Sequence, residues 1–277
     1  VSIIIAVKTW QKNLEECVTK CLQLDYPDFE IIILPDTEIK GLSPTSVIHS
    51  QTKGTVPIKV VTTGAVSPAK KRDEAMNHAK GEILAFIDDD AYPDKDWLVN
   101  AMRNFSDSQV AAVGGPAITP ENDTVKQKAS GLVYSSRLVS GKYAYRYLPK
   151  ERREIDDYPS CNLLIRRSVM QELGGFNTNF WPGEDTKLCL DITKKLGKKI
   201  IYDPEVIVYH HRRPLFIPHI KQVADYALHR GYFVKRYPQT SLRLPYFIPT
   251  LFVFSLFTGA AFSVCIIPMR TIYLLGL

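Results

Sequence analysis

The stretch Ile83-Leu84-Ala85-Phe86-Ile87-Asp88-Asp89-Asp90 runs five apolar residues directly into three aspartates. A continuous apolar run of this length, opened by Gly81, reads as a strand covered on both faces, as in parallel sheets. Its charged end then emerges at the carboxyl edge of the sheet, where open α/β sheets bind their ligands. Three adjacent carboxylates repel one another and are costly to desolvate, and a divalent cation held there would relieve both effects. The alternative is a solvated acidic turn, since Asp is a common turn residue and Ala91-Tyr92-Pro93 follows.

Strand-like and helix-like patterns alternate on both sides of this junction. Residues 1–7 read as a buried strand, and Leu14, Val18, Cys21 and Leu22 give the next stretch a helical apolar face. A second strand, 29–34, ends at Pro35-Asp36; residues 40–56 are polar and punctuated by Pro and Gly, which predicts a loop with at most one short helix. Residues 58–61 read as a third strand. Ser67 as N-cap and Pro68 at the first helical position then open a helix running to about residue 79. A helix over 94–105, strands over 110–113 and 161–165, and a short helix Arg167–Leu173 closed by Gly174-Gly175 follow. A helix over 184–196 stops at Gly197, and 200–209 is a last strand interrupted at Asp203-Pro204. The order predicts an α/β fold with a mostly parallel central sheet and helices on both faces. Residues 121–158, with Tyr134, Tyr143, Tyr145, Tyr147 and Tyr158 among basic residues, suit a polar aromatic surface or a flexible acceptor-side segment.

The chain has 277 residues, 45% of them hydrophobic, enough for a real core, and a net charge of +6. Basic residues cluster at Lys150-Glu151-Arg152-Arg153, Lys194-Lys195 and His210-His211-Arg212-Arg213. Such a balance serves nucleic acid, anionic phosphates or an anionic membrane. The tail selects the membrane, and nucleic acid is not an expected partner. From Leu244 to Met269 no charged residue occurs, a length beyond the roughly 20 residues that cross a bilayer; a buried core helix is the alternative. The expected organisation is a globular domain over 1–213, a basic amphipathic interfacial segment over 214–243 and a transmembrane region over 244–277, whose last residues look like the start of a truncated further span. Lys235, Arg236 and Arg243 flank the apolar stretch, so the positive-inside rule puts the globular part on the cytoplasmic face. The five cysteines form no CxxC pair and no zinc-finger spacing, which points to a reducing compartment and no disulfide framework.

Three further sets of residues carry candidate chemistry. Asp36 is a lone carboxylate at the same sheet edge, a turn residue by itself and a nucleotide contact beside the triplet. Lys70-Lys71-Arg72 are either a solvated helical face or a diphosphate contact. Gly183-Glu184-Asp185, after Trp181-Pro182, puts two acids in the first turn of a helix, where its dipole stabilises negative charge. The first strand is followed by Lys8-Thr9 rather than a GxGxxG turn, which argues against a nicotinamide-dependent oxidoreductase.

Taken in order, Val1-Ser2-Ile3-Ile4-Ile5-Ala6-Val7, Asp25-Tyr26-Pro27-Asp28, Asp36, Ala69-Lys70-Lys71-Arg72, Gly81-Glu82 through Asp90, Gly174-Gly175-Phe176, Gly183-Glu184-Asp185 and Val208-Tyr209-His210 resemble the inverting family 2 glycosyltransferases of GT-A fold. Each piece is weak and the ordered set, covering 1 to about 213, is specific. The resemblance implies that Asp88 and Asp90 form the DxD motif, holding Mn2+ or Mg2+ against the diphosphate of a nucleotide sugar. His210, and less directly His211, matches a histidine that closes the metal or diphosphate site. Donor contacts are implied for Ala6, Lys8, Asp36, Lys70, Arg72, Asp88 and Asp89. Asp185 matches the catalytic base, Glu184 its orienting or acceptor-binding neighbour, with Trp181 and Gly183 on the acceptor side. The implied reaction is inverting glycosyl transfer from a UDP- or GDP-sugar to a hydroxyl or phosphate acceptor, lipid-linked or a glycan. Departures are Ala6 where the family often has Pro, Pro35 and Lys187 where it often has Asp, Asp73 for Asn, and Asp191 for Arg. The swapped charges at Lys187 and Asp191 keep open a second reading, a non-catalytic nucleotide-sugar-binding scaffold of the same fold.

Overall fold

A computed structural model describes residues 1–38, 45–50 and 54–265. In chain order the first half comprises β1 (Ser2–Ala6), α1 (Lys12–Cys21), β2 (Glu30–Leu34), β3 (Thr45–Ser50), β4 (Gly54–Val60), α2 (Pro68–Ala75), β5 (Ile83–Asp88), β6 (Ala91–Pro93), α3 (Trp97–Asn104), β7 (Val110–Gly114) and β8 (Ala117–Ile118). There follow α4 (Val125–Ser135), α5 (Arg137–Ser140), β9 (Arg153–Ile155), β10 (Asn162–Arg166), α6 (Arg167–Leu173), α7 (Glu184–Leu190), β11 (Lys199–Tyr202), β12 (Val208–His210), α8 (Ile217–Arg236), α9 (Pro238–Ser241) and α10 (Leu244–Cys265).

The main sheet has nine strands in the order β3-β4-β2-β1-β5-β10-β7-β11-β9. Its centre is parallel: β1 lies between β2 and β5, and β4 extends the run. β10 enters antiparallel between β5 and β7. Because strand side chains alternate, Ile3, Ile5, Ile31, Ile33 and Ile87 pack to one side with Leu14, Val18, Trp97 and Leu98 of α1 and α3. Ile4, Ile32, Phe86 and Leu163 pack to the other, with Ala69 and Ala75 of α2 and Val169 and Met170 of α6. The apolar runs are thus covered on both faces, as continuous rather than alternating hydrophobicity requires. Cys17 and Cys21 are buried packing residues.

Four local expectations change. The loop expected over 40–56 contains instead an antiparallel pair, β3 with β4, with Val47 opposite Pro57 and Ile48 opposite Val56; residues 40–44 and 51–53 lie outside the described part. Pro57 lies just before the β4–β2 ladder, whose register begins with Ile58 opposite Ile31, so it pairs only with β3. The helix from Pro68 ends at Ala75, not 79, where Met76 N–H turns to the carbonyl of Asp73. The helix over 184–196 is α7 followed by a π-helical turn, Asp191–Lys195. The interrupted strand over 200–209 is two strands in different sheets, β11 in the main sheet and β12 at the centre of a small one, β6-β12-β8, because Asp203-Pro204 breaks the ladder. The short charged margin strand β9 was not expected.

The chain forms two compact units, Val1–Tyr226 and Ala227–Leu277, dividing inside α8, whereas the sequence pattern put boundaries at 213 and 243. In the second unit Phe233 is buried against Tyr237, ring centroids 5.3 Å apart, and Arg230 lies over the Tyr246 ring at 4.8 Å. Leu244–Ser263, 20 residues with mean hydropathy 1.5 and no part of the span buried, is long and apolar enough to cross a membrane.

Candidate active site

Register brings the first set of residues together. Ala6 of β1 pairs with Asp88 of β5 on one side and with Leu34 of β2 on the other, so Lys8, Asp36 and the aspartate triplet all emerge at one sheet edge. α2 lies over that edge, its start fixed by the Ser67 hydroxyl accepting the Lys70 N–H. Lys71 is buried, and its ammonium donates to the carbonyls of Val7 (2.5 Å) and Leu34 (3.1 Å) and to the Asp36 carboxylate. Lys70, the expected contact, is exposed on the outer side of α2. Arg72 donates one nitrogen to Asp88 and another to Glu184, both at 2.9 Å, over the Phe176 ring. Burial alone would lower the Arg72 pKa; Asp88, Glu184 and Asp185 more than reverse this.

Asp73, one residue on, accepts the N–H groups of Phe176 (2.6 Å) and Asn177 (3.2 Å). Gly175 has φ +86, and a Cβ there would stand 2.3 Å from an Asp73 oxygen. The Gly174-Gly175 turn therefore lets the chain close on Asp73 and seat Phe176 beneath Arg72. This role of Asp73 was not read from the sequence, and neither was the contact of Gln11 with Asp89.

His210 reaches the triplet through the small sheet. β6 begins directly after Asp90 and pairs antiparallel with β12, setting Ala91 opposite His210. His210 Nε2 lies 3.0 Å from Asp90 Oδ1, and Arg212 Nη1 lies 3.2 Å from His210 Nδ1. Burial pulls the His210 pKa down, but the Asp90 charge and hydrogen bond overcome it and raise it to about 10. Burial likewise raises Asp90, and His210 reverses that to a net lowering. Asp89 is pushed up to about 6, first by burial and then by Asp90 and Asp88. His211 faces elsewhere, between Asp123 (2.5 Å) and Glu16 (3.0 Å).

One ligand atom each from Asp88, Asp90 and His210 lie within 4.8 Å of one another, and all three side chains are partly open. Two hard carboxylates and one imidazole, with room for diphosphate oxygens, suit a divalent cation such as Mn2+. These residues fit the metal that the sequence pattern implies.

The two acids of α7 divide. Gly183, at φ +117, caps the helix, and its N–H donates to Glu184 at 3.0 Å. Glu184 turns inward to Arg72 and is only 5% exposed. Asp185 is half-buried at the helix start, its carboxylate accepting the N–H groups of Ser160 (3.3 Å) and Thr186 (2.7 Å). Trp181, 58% exposed, precedes them. Lys187 pairs with Asp191 at 2.5 Å, so the charges swapped relative to the family pattern satisfy each other.

Residues 2–174 match the family model described as Glycosyl transferase family 2. The pre-mycofactocin glycosyltransferase of Mycobacterium tuberculosis is 26% identical over 180 residues, which are 64% of this chain and 37% of that protein. The chain therefore spans little more than a third of that relative. A Methanococcus voltae protein, dolichyl N-acetyl-alpha-D-glucosaminyl phosphate 3-beta-D-2,3-diacetamido-2,3-dideoxy-beta-D-glucuronosyltransferase, is 22% identical over 247 residues, covering 85% of this chain and 74% of it. Among solved structures, a mannosyltransferase from Pyrobaculum calidifontis in complex with GDP-Man and Mn2+ superposes with TM-score 0.56 at 20% identity, over 90% of this chain and 67% of that one.

Proposed function

Because the chain belongs to glycosyl transferase family 2, with the GT-A fold, we propose that it transfers a glycosyl group with inversion from a UDP- or GDP-sugar to a hydroxyl or phosphate acceptor. The observation that carries this reading is the juxtaposition of Asp88 with the Asp90–His210 pair, their ligand atoms within 4.8 Å, and the contacts of Arg72 that run from Asp88 to Glu184 at the helix start that bears Asp185. It links a candidate diphosphate site to a candidate base across one sheet edge.

Asp185 is the base of this reading. Its carboxylate, oriented by two backbone N–H groups, takes the proton of the acceptor hydroxyl as that oxygen attacks the anomeric carbon from the side opposite the diphosphate. Glu184 fixes Arg72 rather than touching substrate, and Arg72 presents its positive charge beside Asp88, where the leaving diphosphate accumulates negative charge. Asp36, held by Lys71, sits at the sheet edge where a nucleotide base would lie, with Ala6 and Lys8 beside it. A divalent cation held by Asp88, Asp90 and His210 would supply further positive charge against the diphosphate. Trp181 and Gly183 flank the base on the acceptor side. The scaffold reading loses its one support, since Lys187 and Asp191 neutralise each other.

The acceptor is taken to be lipid-linked or a glycan. The Methanococcus voltae relative is named for a dolichyl phosphate-linked substrate, and Leu244–Ser263 would hold the enzyme at the bilayer, with Lys235, Arg236 and Arg243 on the cytoplasmic side. The test is a thermal-shift panel of UDP-, GDP- and dTDP-sugars with and without Mn2+, followed by NMR of the anomeric configuration of any product. A donor that raises Tm only with Mn2+, and an inverted product, support the reading. No response to any donor, or a retained anomer, overturns it.

A further inference from the structure

In the first unit, α4 and the start of α8 are amphipathic in the reverse sense. The inner side of α4 is polar and aromatic. Ser130 Oγ lies 2.7 Å from His219 Nδ1 of α8, and a Cβ on Gly131 would stand 2.2 Å from Thr119 Oγ1. The Tyr134 ring stacks on Tyr147 at 5.1 Å and lies against His219 at 4.8 Å. Arg212 extends over both tyrosine rings.

Their outer sides are where the aliphatic groups stand. Val125 is 80% exposed on α4 and Leu138 90% exposed on α5. Leu132, seven residues beyond Val125 and so on the same helical face, is exposed with them, as is Val139. On α8, Ile217 is 80% exposed and Ile220 lies beside it, on the side opposite buried His219. A water-facing helix would carry its apolar stripe inward, and scattered single exposures would need no explanation. Here the exposure is concentrated on neighbouring elements.

The charges that accompany it have one sign. From Thr124 to Lys150 the exposed charges are Lys126, Lys128, Arg137, Lys142 and Lys150, with no Asp or Glu in the stretch and Arg146 turned inward to Asp157, and Lys221 is exposed at the start of α8. Glu121 and Asp123 precede α4, the latter buried against His211, and Asp225 follows on α8. Exposed aliphatic side chains among cations match the two layers of a bilayer surface, acyl boundary and anionic headgroups. A protein partner or second copy would need acids opposite these cations, and the paired faces of two copies would bring like charges together.

We propose that the outer face of α4, α5 and the start of α8 rests on an anionic lipid surface, so that the catalytic unit has its own membrane contact besides the apolar helix α10. This rests on the membrane association proposed above. The experiment uses the full chain, with Cys265 replaced by Ser, in phosphatidylcholine vesicles with and without phosphatidylserine. An environment-sensitive fluorophore is placed on a cysteine at Leu132 or Leu138, at Phe257 on α10, or at exposed Gln171 on α6, and quenching by brominated lipid is read. The expected result is quenching at Leu132 and Leu138 about twofold or more above Gln171 and increasing with phosphatidylserine. On the unlabelled chain, amide exchange over 125–140 should slow in the same vesicles. Quenching at Phe257 without quenching at Leu132 and Leu138, or without slowed exchange, overturns this contact and leaves the anchor standing. No quenching at Phe257 or at the other two sinks both, and contact of Leu138 probes with each other rather than with lipid identifies a dimer face instead.

Discussion

Arg72 and Glu184, 112 residues apart in sequence, form a 2.9 Å ion pair whose side chains are both almost wholly buried. The same guanidinium holds Asp88, so one side chain ties the candidate diphosphate edge to the helix that bears Asp185. A buried charge left without its partner retains its desolvation cost and loses the compensation.

Glu184→Gln is therefore expected to cost about 1–3 kcal/mol of stability, less than a fully unpaired buried charge because Arg72 keeps Asp88, read as a lowered urea midpoint. Replacing both residues by Met should recover much of that loss, because two apolar groups of similar length need no compensation. The double variant should nonetheless bind donor more weakly, since Arg72 is absent from the diphosphate edge. Equal losses in the single and double variants would contradict the pairing.

Asp185→Asn should leave the fold and donor affinity intact and lower kcat by about 10²–10⁴, the range for loss of a general base. Both Asp185 oxygens accept backbone N–H groups, so Asn loses one of these bonds, and a moderate fall in Tm, about 1–3 kcal/mol of stability, is expected while the fold persists. Steady-state transfer with donor varied separates the effects: a fall in kcat at constant donor KM is expected. Unchanged turnover would move the base elsewhere.

The His210–Asp90 pair sets a pH dependence of defined sign. His210 rises from 6.5 in the unfolded chain to about 10 in the fold, so its stabilising contribution is complete below 6.5 and is lost as pH climbs to about 10. Asp90 moves down from 3.8, so its contribution holds above 3.8 and is lost as pH falls through its lower folded value. Metal-free protein should show a stability plateau between these limits, and His210→Gln should remove the decline on the alkaline side. If His210 ligates Mn2+, binding at pH 7 should release about one proton, visible by calorimetry in buffers of different ionisation enthalpy.

What the sequence disclosed follows from the range of the interactions involved. The β5 run and the Ser67-Pro68 helix start are local patterns, and both stand where the pattern puts them. The choice of Lys71 over Lys70 as the inward cation is a matter of helical phase, about 100° per residue, which three consecutive basic residues do not reveal. His210 arrives through the β6–β12 register, and Arg72 meets Glu184 only after the Gly174-Gly175 turn closes on Asp73. Such contacts depend on tertiary pairing between distant segments. The β3–β4 pair was hidden by its own composition, because Pro57 and the polar residues around it mimic a loop.

One glycine tests how closely the two sheets must meet at this edge. Gly115 follows β7 and precedes β8, and a Cβ there would stand 1.9 Å from the Val206 carbonyl oxygen, leading into β12. Its own carbonyl accepts the Tyr158 hydroxyl at 2.5 Å and the Asn162 amide at 2.6 Å, and Asn162 in turn accepts the Trp97 indole N–H at 2.8 Å. A methyl group at 115 must push β12 outward, stretching these buried bonds and carrying His210 away from Asp90. Gly115→Ala is expected to destabilise by about 3 kcal/mol or more, through overpacking and buried polar groups left unpaired. Whatever fraction folds should bind Mn2+ more weakly than the parent. Because Gly115 itself touches neither Asp90 nor His210, a variant of normal stability and normal Mn2+ affinity would show that β12 is not positioned by this contact.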